Sequence, residues 1–137
     1  MTGANRKAHI ADEVRKGNNA LRAGTELIAL GLYDDAVTRL YYAAFHFACA
    51  ALLTEGVEAT THRGLHALFS EQLVRPGKIT PARAKDLKRL QGFREAADYT
   101  RSFAFTHEGA EEEAAVALRF VADMRAYLEA GSWLIDG

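Results

Sequence analysis

The stretch Ala36–Leu53, AVTRLYYAAFHFACAALL, decides how the rest of the chain is read. Only Thr38, Arg39 and His46 interrupt a run of apolar and aromatic residues. A helix that is apolar on nearly every side belongs in a protein core or a bilayer. Eighteen residues are just long enough to span a bilayer, but an Arg and a His inside the run, with no anchoring flanks, point to a core. The stretch therefore predicts a central buried helix wrapped by amphipathic ones. Arg39, Tyr42 and His46 are spaced i, i+3, i+7 and return to one side of that helix. The reading favoured for them is structural: buried polar groups that pair with neighbouring helices.

Outward from this run, the remaining segments also read as helices. Ile10, Val14, Leu21 and Ile28 form a stripe along a first helix from about Asn5 to Leu30. Gly17, Gly24 and Gly31 recur at seven-residue intervals on one of its faces. Interior glycine costs about 1 kcal/mol relative to alanine, so close approach of another helix is the expected reason, with Gly31 as the C-terminal stop. Asp34 or Asp35 is expected to cap the core helix, which ends near Glu55-Gly56. Thr61 is expected to cap a third helix carrying Leu65, Leu68, Phe69 and Leu73, broken at Arg75-Pro76-Gly77. Thr80-Pro81 opens a fourth, with Pro where its missing N–H costs nothing. Leu87, Leu90, Phe93 and Ala97 form its buried side.

Thr106 is expected to cap the last helix, whose first turns carry Glu108, Glu111, Glu112 and Glu113, favoured there by the helix dipole. Ala110, Ala114, Ala117, Val121, Met124 and Leu128 then alternate by four and three, as an intramolecular seam or part of a dimer face. Trp133, Leu134 and Ile135 are expected to fold back onto the bundle. The fold class is all-α, an up-and-down bundle of about five helices in one domain over residues 1–137, with its core in 6–130.

Composition narrows the function. The formal charge is −1, so no global field recruits nucleic acid. The lone Cys49 excludes a disulfide framework or a cysteine-rich zinc cluster within one chain, which suits a reducing cytoplasm. MTGANRKAH has no apolar run, so neither a signal peptide nor a membrane anchor is expected. No Glu-x-x-His pair, Gly-rich phosphate loop or Gly-x-Ser-x-Gly elbow occurs. His62 and His66, at i and i+4, have metal-ligand spacing but no evident third ligand, so neither a metal nor another cofactor is assigned.

Local charge is more informative. Arg75, Lys78, Arg83, Lys85, Lys88, Arg89 and Arg94 face a single Asp86, a local balance of 7 − 1 = +6 within twenty residues. Arg83, Lys85, Lys88 and Arg89 are the candidate nucleic-acid-binding residues, since affinity follows the number of phosphates neutralised. The competing reading is a solvated face that balances the acidic start of the last helix. Arg94 and Asp98, at i and i+4, can pair. That pairing would hold the guanidinium fork in one direction, as a phosphate ligand requires, or would simply brace the helix.

Three motifs then stand in order: Tyr41-Tyr42-Ala43-Ala44-Phe45-His46, Thr61-His62-Arg63-Gly64, and Arg94-x-x-Ala97-Asp98-Tyr99. Together they resemble the small stand-alone HEPN-domain proteins of bacteria and archaea, over about residues 6 to 130. The resemblance implies a dimeric helical domain, often encoded beside a minimal nucleotidyltransferase in toxin–antitoxin or defence pairs. Catalytic members are metal-independent RNases with an Arg, a polar residue and a His four to six positions after the Arg, two copies facing each other. Their chemistry would be attack of a 2′-hydroxyl on the adjacent phosphate, with His moving protons and Arg steadying charge.

This chain departs from that pattern. Glu95 follows Arg94, and Asp98 or Tyr99 stands where the His belongs. A tyrosine, with a pKa near 10, is a poor base at neutral pH. An exposed Tyr99 could instead accept a nucleotidyl group from a partner enzyme. Arg39/His46 and Arg101/His107 also satisfy the loose spacing. The first lies in the core helix; the second is the substitute catalytic pair.

The expected function is thus a cytoplasmic, homodimeric HEPN component of a nucleotidyltransferase-linked pair. It would bind RNA or nucleotide through Arg94 and the basic fourth helix, with weak or absent RNase activity. The alternatives are a non-enzymatic dimeric adaptor that presents substrate to a nucleotidyltransferase, and an active RNase using Arg101 and His107.

Overall fold

A computed structural model describes residues 3–99 and 104–134, with the backbone alone at residue 99. Five α-helices follow one another: α1 (Gly3–Ala29), α2 (Tyr33–Leu53), α3 (His62–Phe69), α4 (Pro81–Tyr99) and α5 (His107–Ala130). A short π-helix (Ser70–Val74) extends α3, and no strand occurs among the described residues. The bundle is assembled around α2, which packs against α1, α3, α4 and α5. Val37, Leu40, Tyr41, Ala44, Phe47, Ala48, Ala51 and Leu52 are wholly buried.

The α1–α2 contact is close because α1 has no side chain at two points. A Cβ at Gly17 would meet the Phe47 ring at 2.6 Å, and one at Gly24 would meet Leu40 at 2.8 Å. Gly31 ends the helix for a different reason: its φ of 78° is in the left-handed region. Thr61 caps α3 and Thr106 caps α5, their hydroxyls accepting from the N–H of Gly64 and Gly109. All six residues of the alternating stripe on α5 are buried within the chain, so the stripe is an intramolecular seam. Trp133 and Leu134 pack back against the core, as expected; Ile135 lies outside the described residues.

Three details differ from the sequence reading. Neither Asp34 nor Asp35 caps α2. The helix starts at Tyr33 with Leu32 in the cap position, and Asp34 instead accepts from the N–H of Phe105 at 3.2 Å, tying α2 to the segment before α5. Nor is α2 buried all round. Arg39 is exposed, and Tyr42, Phe45, His46 and Cys49 are half-buried along one strip. Finally, the third helix does not remain α-helical to its end. From Ser70 it is π-wound, with the N–H of Arg75 donating to the Ser70 carbonyl at 2.9 Å.

Among the described residues α2 alone is long and apolar enough to cross a membrane. Within its most apolar window 67% of the residues are buried in the bundle, which accounts for that apolarity as core.

Candidate functional site

The exposed strip of α2 meets α3 and α4 around one guanidinium. Arg94, on α4, has 18% of its side chain exposed, and its Nε lies 3.2 Å from Asp98 Oδ2. Its Nη2 donates to the Tyr42 hydroxyl at 3.3 Å. The same guanidinium lies over the rings of Tyr42 and Tyr41, at 5.5 and 5.7 Å from their centroids. Cation–π contact and a charge-assisted bond both favour a fixed, charged fork. Arg39 is 5.6 Å from the centroid of the same Tyr42 ring, so two cations contact one aromatic ring.

An imidazole completes the cluster. His62, the first residue of α3, has Nδ1 2.7 Å from the Tyr41 hydroxyl and its ring 4.6 Å from that of Phe45. Burial, and then the charge of Arg94, push its pKa below the ordinary 6.5, so the ring is neutral at pH 7. Burial pushes Tyr41 well above its usual value, and its hydroxyl keeps its proton. The arrangement presents a fixed cation, a neutral imidazole and two phenols at one helix junction. Such a set can hold an anion and exchange a proton beside it.

The other candidate residues lie elsewhere. Tyr99 closes α4, but its side chain is outside the described residues, as is all of Arg101. His107 is exposed at the start of α5, 3.1 Å from Glu111 and edge-on to Tyr33 at 5.6 Å. Tyr33 and Tyr42 are nine residues apart on α2, roughly 13 Å along its axis at 1.5 Å per residue. His107 therefore stands at the first turn of α2, whereas Arg94 meets that helix at its middle.

The basic patch on α4 divides into two groups. Arg89 grips the buried Glu113 with two bonds of 2.9 and 2.7 Å, and Arg83 lies 3.1 Å from Asp86 and 3.2 Å from Asp123. Both arginines face α5 and balance its acidic side chains. Lys85 and Lys88 are exposed, line a groove toward α3 and have no acidic partner among the described residues. His46 takes the structural role expected of it, with Nδ1 2.8 Å from Glu13 Oε2 on α1.

The HEPN-domain family profile matches residues 10–130, a span that holds all three motifs and the Arg94 cluster they build. The chain belongs to the HEPN family. One HEPN relative, "Putative toxin MJ0605" of Methanocaldococcus jannaschii, is 37% identical over 94 residues, covering 69% of this chain and 66% of that protein. "Putative toxin MJ0142" of the same organism is 26% identical over 105 residues, covering 77% and 71%. A UPF0332 protein of Thermotoga maritima is 32% identical over 78 residues, covering 57% and 59%. The aligned part thus spans between 59% and 71% of these three relatives' lengths. The crystal structure of TT1696 from Thermus thermophilus superposes with a TM-score of 0.74 at 20% identity, covering 87% of this chain and 98% of that one, and it shares the fold.

Tyr41, Tyr42 and His62 are the residues that sequence reasoning left out of the site. Their signal was present: each lies in a motif that carries the HEPN resemblance. The three motifs, far apart in sequence, converge on Arg94.

Proposed function

We propose that this chain is the HEPN component of a toxin–antitoxin or defence pair. In this reading it works as a cytoplasmic homodimer beside a minimal nucleotidyltransferase. It engages RNA or nucleotide through Arg94 and the outward-facing lysines of α4, with weak or absent RNase activity. The observation that carries the reading is the fixed guanidinium of Arg94, braced by Asp98 and Tyr42 and backed by two aromatic rings. A planar, pre-oriented fork suits the two oxygens of a phosphodiester. The two relatives named as putative toxins support the setting. Weak cleavage is expected because no His stands four to six positions after Arg94.

One observation favours a second reading, an RNase whose base comes from α3. With its proton on Nδ1, His62 donates to Tyr41 and leaves the Nε2 lone pair free. His62 would take the 2′-hydroxyl proton as that oxygen attacks the phosphorus. It would return the proton to the departing 5′-oxygen, leaving a 2′,3′-cyclic phosphate, with Arg94 steadying the charged phosphorane. Single-stranded RNA incubated in chelator separates the two. Retention of RNA with little cyclic-phosphate product supports binding without efficient cleavage; rapid cleavage lost in His62→Ala supports the second.

A further inference from the structure

Tyr41 is wholly buried, so its hydroxyl is closed to water. The same burial holds its pKa well above the usual value, so the phenol carries a proton that needs an acceptor. Among the described residues that hydroxyl has one hydrogen-bond partner, His62 Nδ1 at 2.7 Å. Arg94, Tyr42, Cys49 and Glu95 act on Tyr41 only electrostatically. Arg94 donates to Tyr42, Glu95 accepts from Gln91, and Cys49 stands two turns further along α2.

The 2.7 Å contact can be made in two ways, and they are not equivalent. With the ring proton on Nδ1, the imidazole donates and the phenol proton is left buried without an acceptor. With the ring proton on Nε2, the phenol donates to the Nδ1 lone pair and its proton is satisfied. A buried donor without a partner costs the full desolvation of that group, whereas an oxygen with an unused lone pair is tolerated more readily. The second ring nitrogen offers no opposing preference. His62 is half-buried, and its Nε2, unlike that of His66, is not a buried atom without a partner. Water can meet it as donor or as acceptor. The buried phenol therefore selects the tautomer, by about tenfold or more.

We propose that Tyr41 is a positioning residue: its hydroxyl holds the His62 proton on Nε2, which makes that ring a hydrogen-bond donor beside Arg94 rather than a base. The inference rests on, and deepens, the reading of Arg94 as an anion-holding group. The imidazole and the guanidinium both contact the rings of Tyr41 and Tyr42, so they border one site. A neutral imidazole that presents an N–H can polarise an oxygen that it cannot deprotonate. Next to the Arg94 fork it supplies one more donor to a phosphate oxygen. Its remaining lone pair, on Nδ1, is occupied by Tyr41, and abstraction of a 2′-hydroxyl proton needs a free one. Cleavage is then weak for a reason internal to this site, separate from the missing His after Arg94. The RNase reading given above requires the opposite tautomer.

The test is a long-range proton–nitrogen correlation spectrum of the full chain, labelled with nitrogen-15 and free of ligand, at about pH 7.5 where His62 is neutral. His62 should appear as a single tautomer, with Nε2 protonated and Nδ1 shifted as a hydrogen-bond acceptor. Tyr41→Phe keeps the ring and removes only the hydroxyl. It should abolish the acceptor shift at Nδ1, a change that lost packing does not produce. Single-stranded RNA binding then separates donor from base. His62→Gln, whose amide can donate but cannot act as a base, should stay within about threefold of the parent, and His62→Ala should lose about tenfold. A protonated Nδ1 in the parent would overturn the proposal without recourse to any variant. So would an Nδ1 signal indifferent to Tyr41→Phe, or equal losses of RNA affinity in His62→Gln and His62→Ala. Failure of the parent to bind RNA at all would refute the Arg94 reading instead, and the spectrum would still decide the tautomer.

Discussion

Each polar side chain along the exposed strip of α2 has a different task, and substitutions should separate them. His46 clasps α1 through Glu13, with 21% and 25% of the two side chains exposed. His46→Ala leaves a half-buried carboxylate without its partner, so it should lower stability by about 1–3 kcal/mol and leave RNA retention by the folded fraction unchanged. Urea denaturation and a retention assay check both; an unchanged urea midpoint with abolished binding would move His46 into the site. His62 and His66 differ in kind, because the fold holds both rings below their ordinary pKa of 6.5. As pH falls below 6.5, the unfolded chain takes up protons that the folded chain resists, so the unfolded state gains. Their contribution is therefore fully present above about pH 6.5 and declines as pH falls toward 5. Melting temperature should drop over that window, and His62→Gln/His66→Gln should make the drop shallower. An equal slope in parent and variant would remove these rings from the account.

At the scale of elements, the α4–α5 contact depends on buried carboxylates held by arginines. Glu113 is 1% exposed and Asp86 4%, with Arg89 on the first and Arg119 and Arg83 on the second. Removing one partner leaves a buried charge uncompensated. Arg89→Glu should therefore lower the melting temperature by several degrees, roughly what 1–3 kcal/mol does in a domain of this size. Lys85→Glu and Lys88→Glu should leave it nearly unchanged while weakening RNA binding and flattening its salt dependence, by roughly one log–log unit for each phosphate no longer neutralised. Equal thermal effects at all three positions would refute this division of α4. Helix number, the caps at Thr61 and Thr106 and the α5 seam were legible because each depends on local pattern and spacing. The partners of Arg83 and Arg89 were not, because Asp123 and Glu113 lie on a helix whose rotation about its axis is set by tertiary packing. The π-winding at Ser70 was also hidden, since no residue type marks it. Asp34 misled because its carboxylate has a long-range donor in Phe105.

In the whole molecule, five helices place three separated motifs at one junction, and that convergence cannot be read from spacing along the chain. Arg94 and Asp98 were legible as an i, i+4 pair, while Tyr42 reaches the same guanidinium, and His62 the neighbouring Tyr41, only because α2 and α3 pack beside α4. Exposed Leu30, Leu32 and Leu118 are the large apolar side chains left on the surface among the described residues. The expected homodimer should appear in light scattering at about twice the 15.0 kDa of one chain, and a monomer at micromolar concentration would count against it. The central claim is that Arg94 is a ligand-holding group rather than a brace between α2 and α4. Single-stranded RNA binding by Arg94→Ala, measured beside the parent at one salt concentration and matched for folded fraction by circular dichroism, tests it most directly. The account predicts a loss of about tenfold or more in affinity with the fold retained, and little rescue by Arg94→Lys, which keeps the charge but not the fork. Unchanged affinity in folded Arg94→Ala, or a loss that merely follows unfolding, would contradict it.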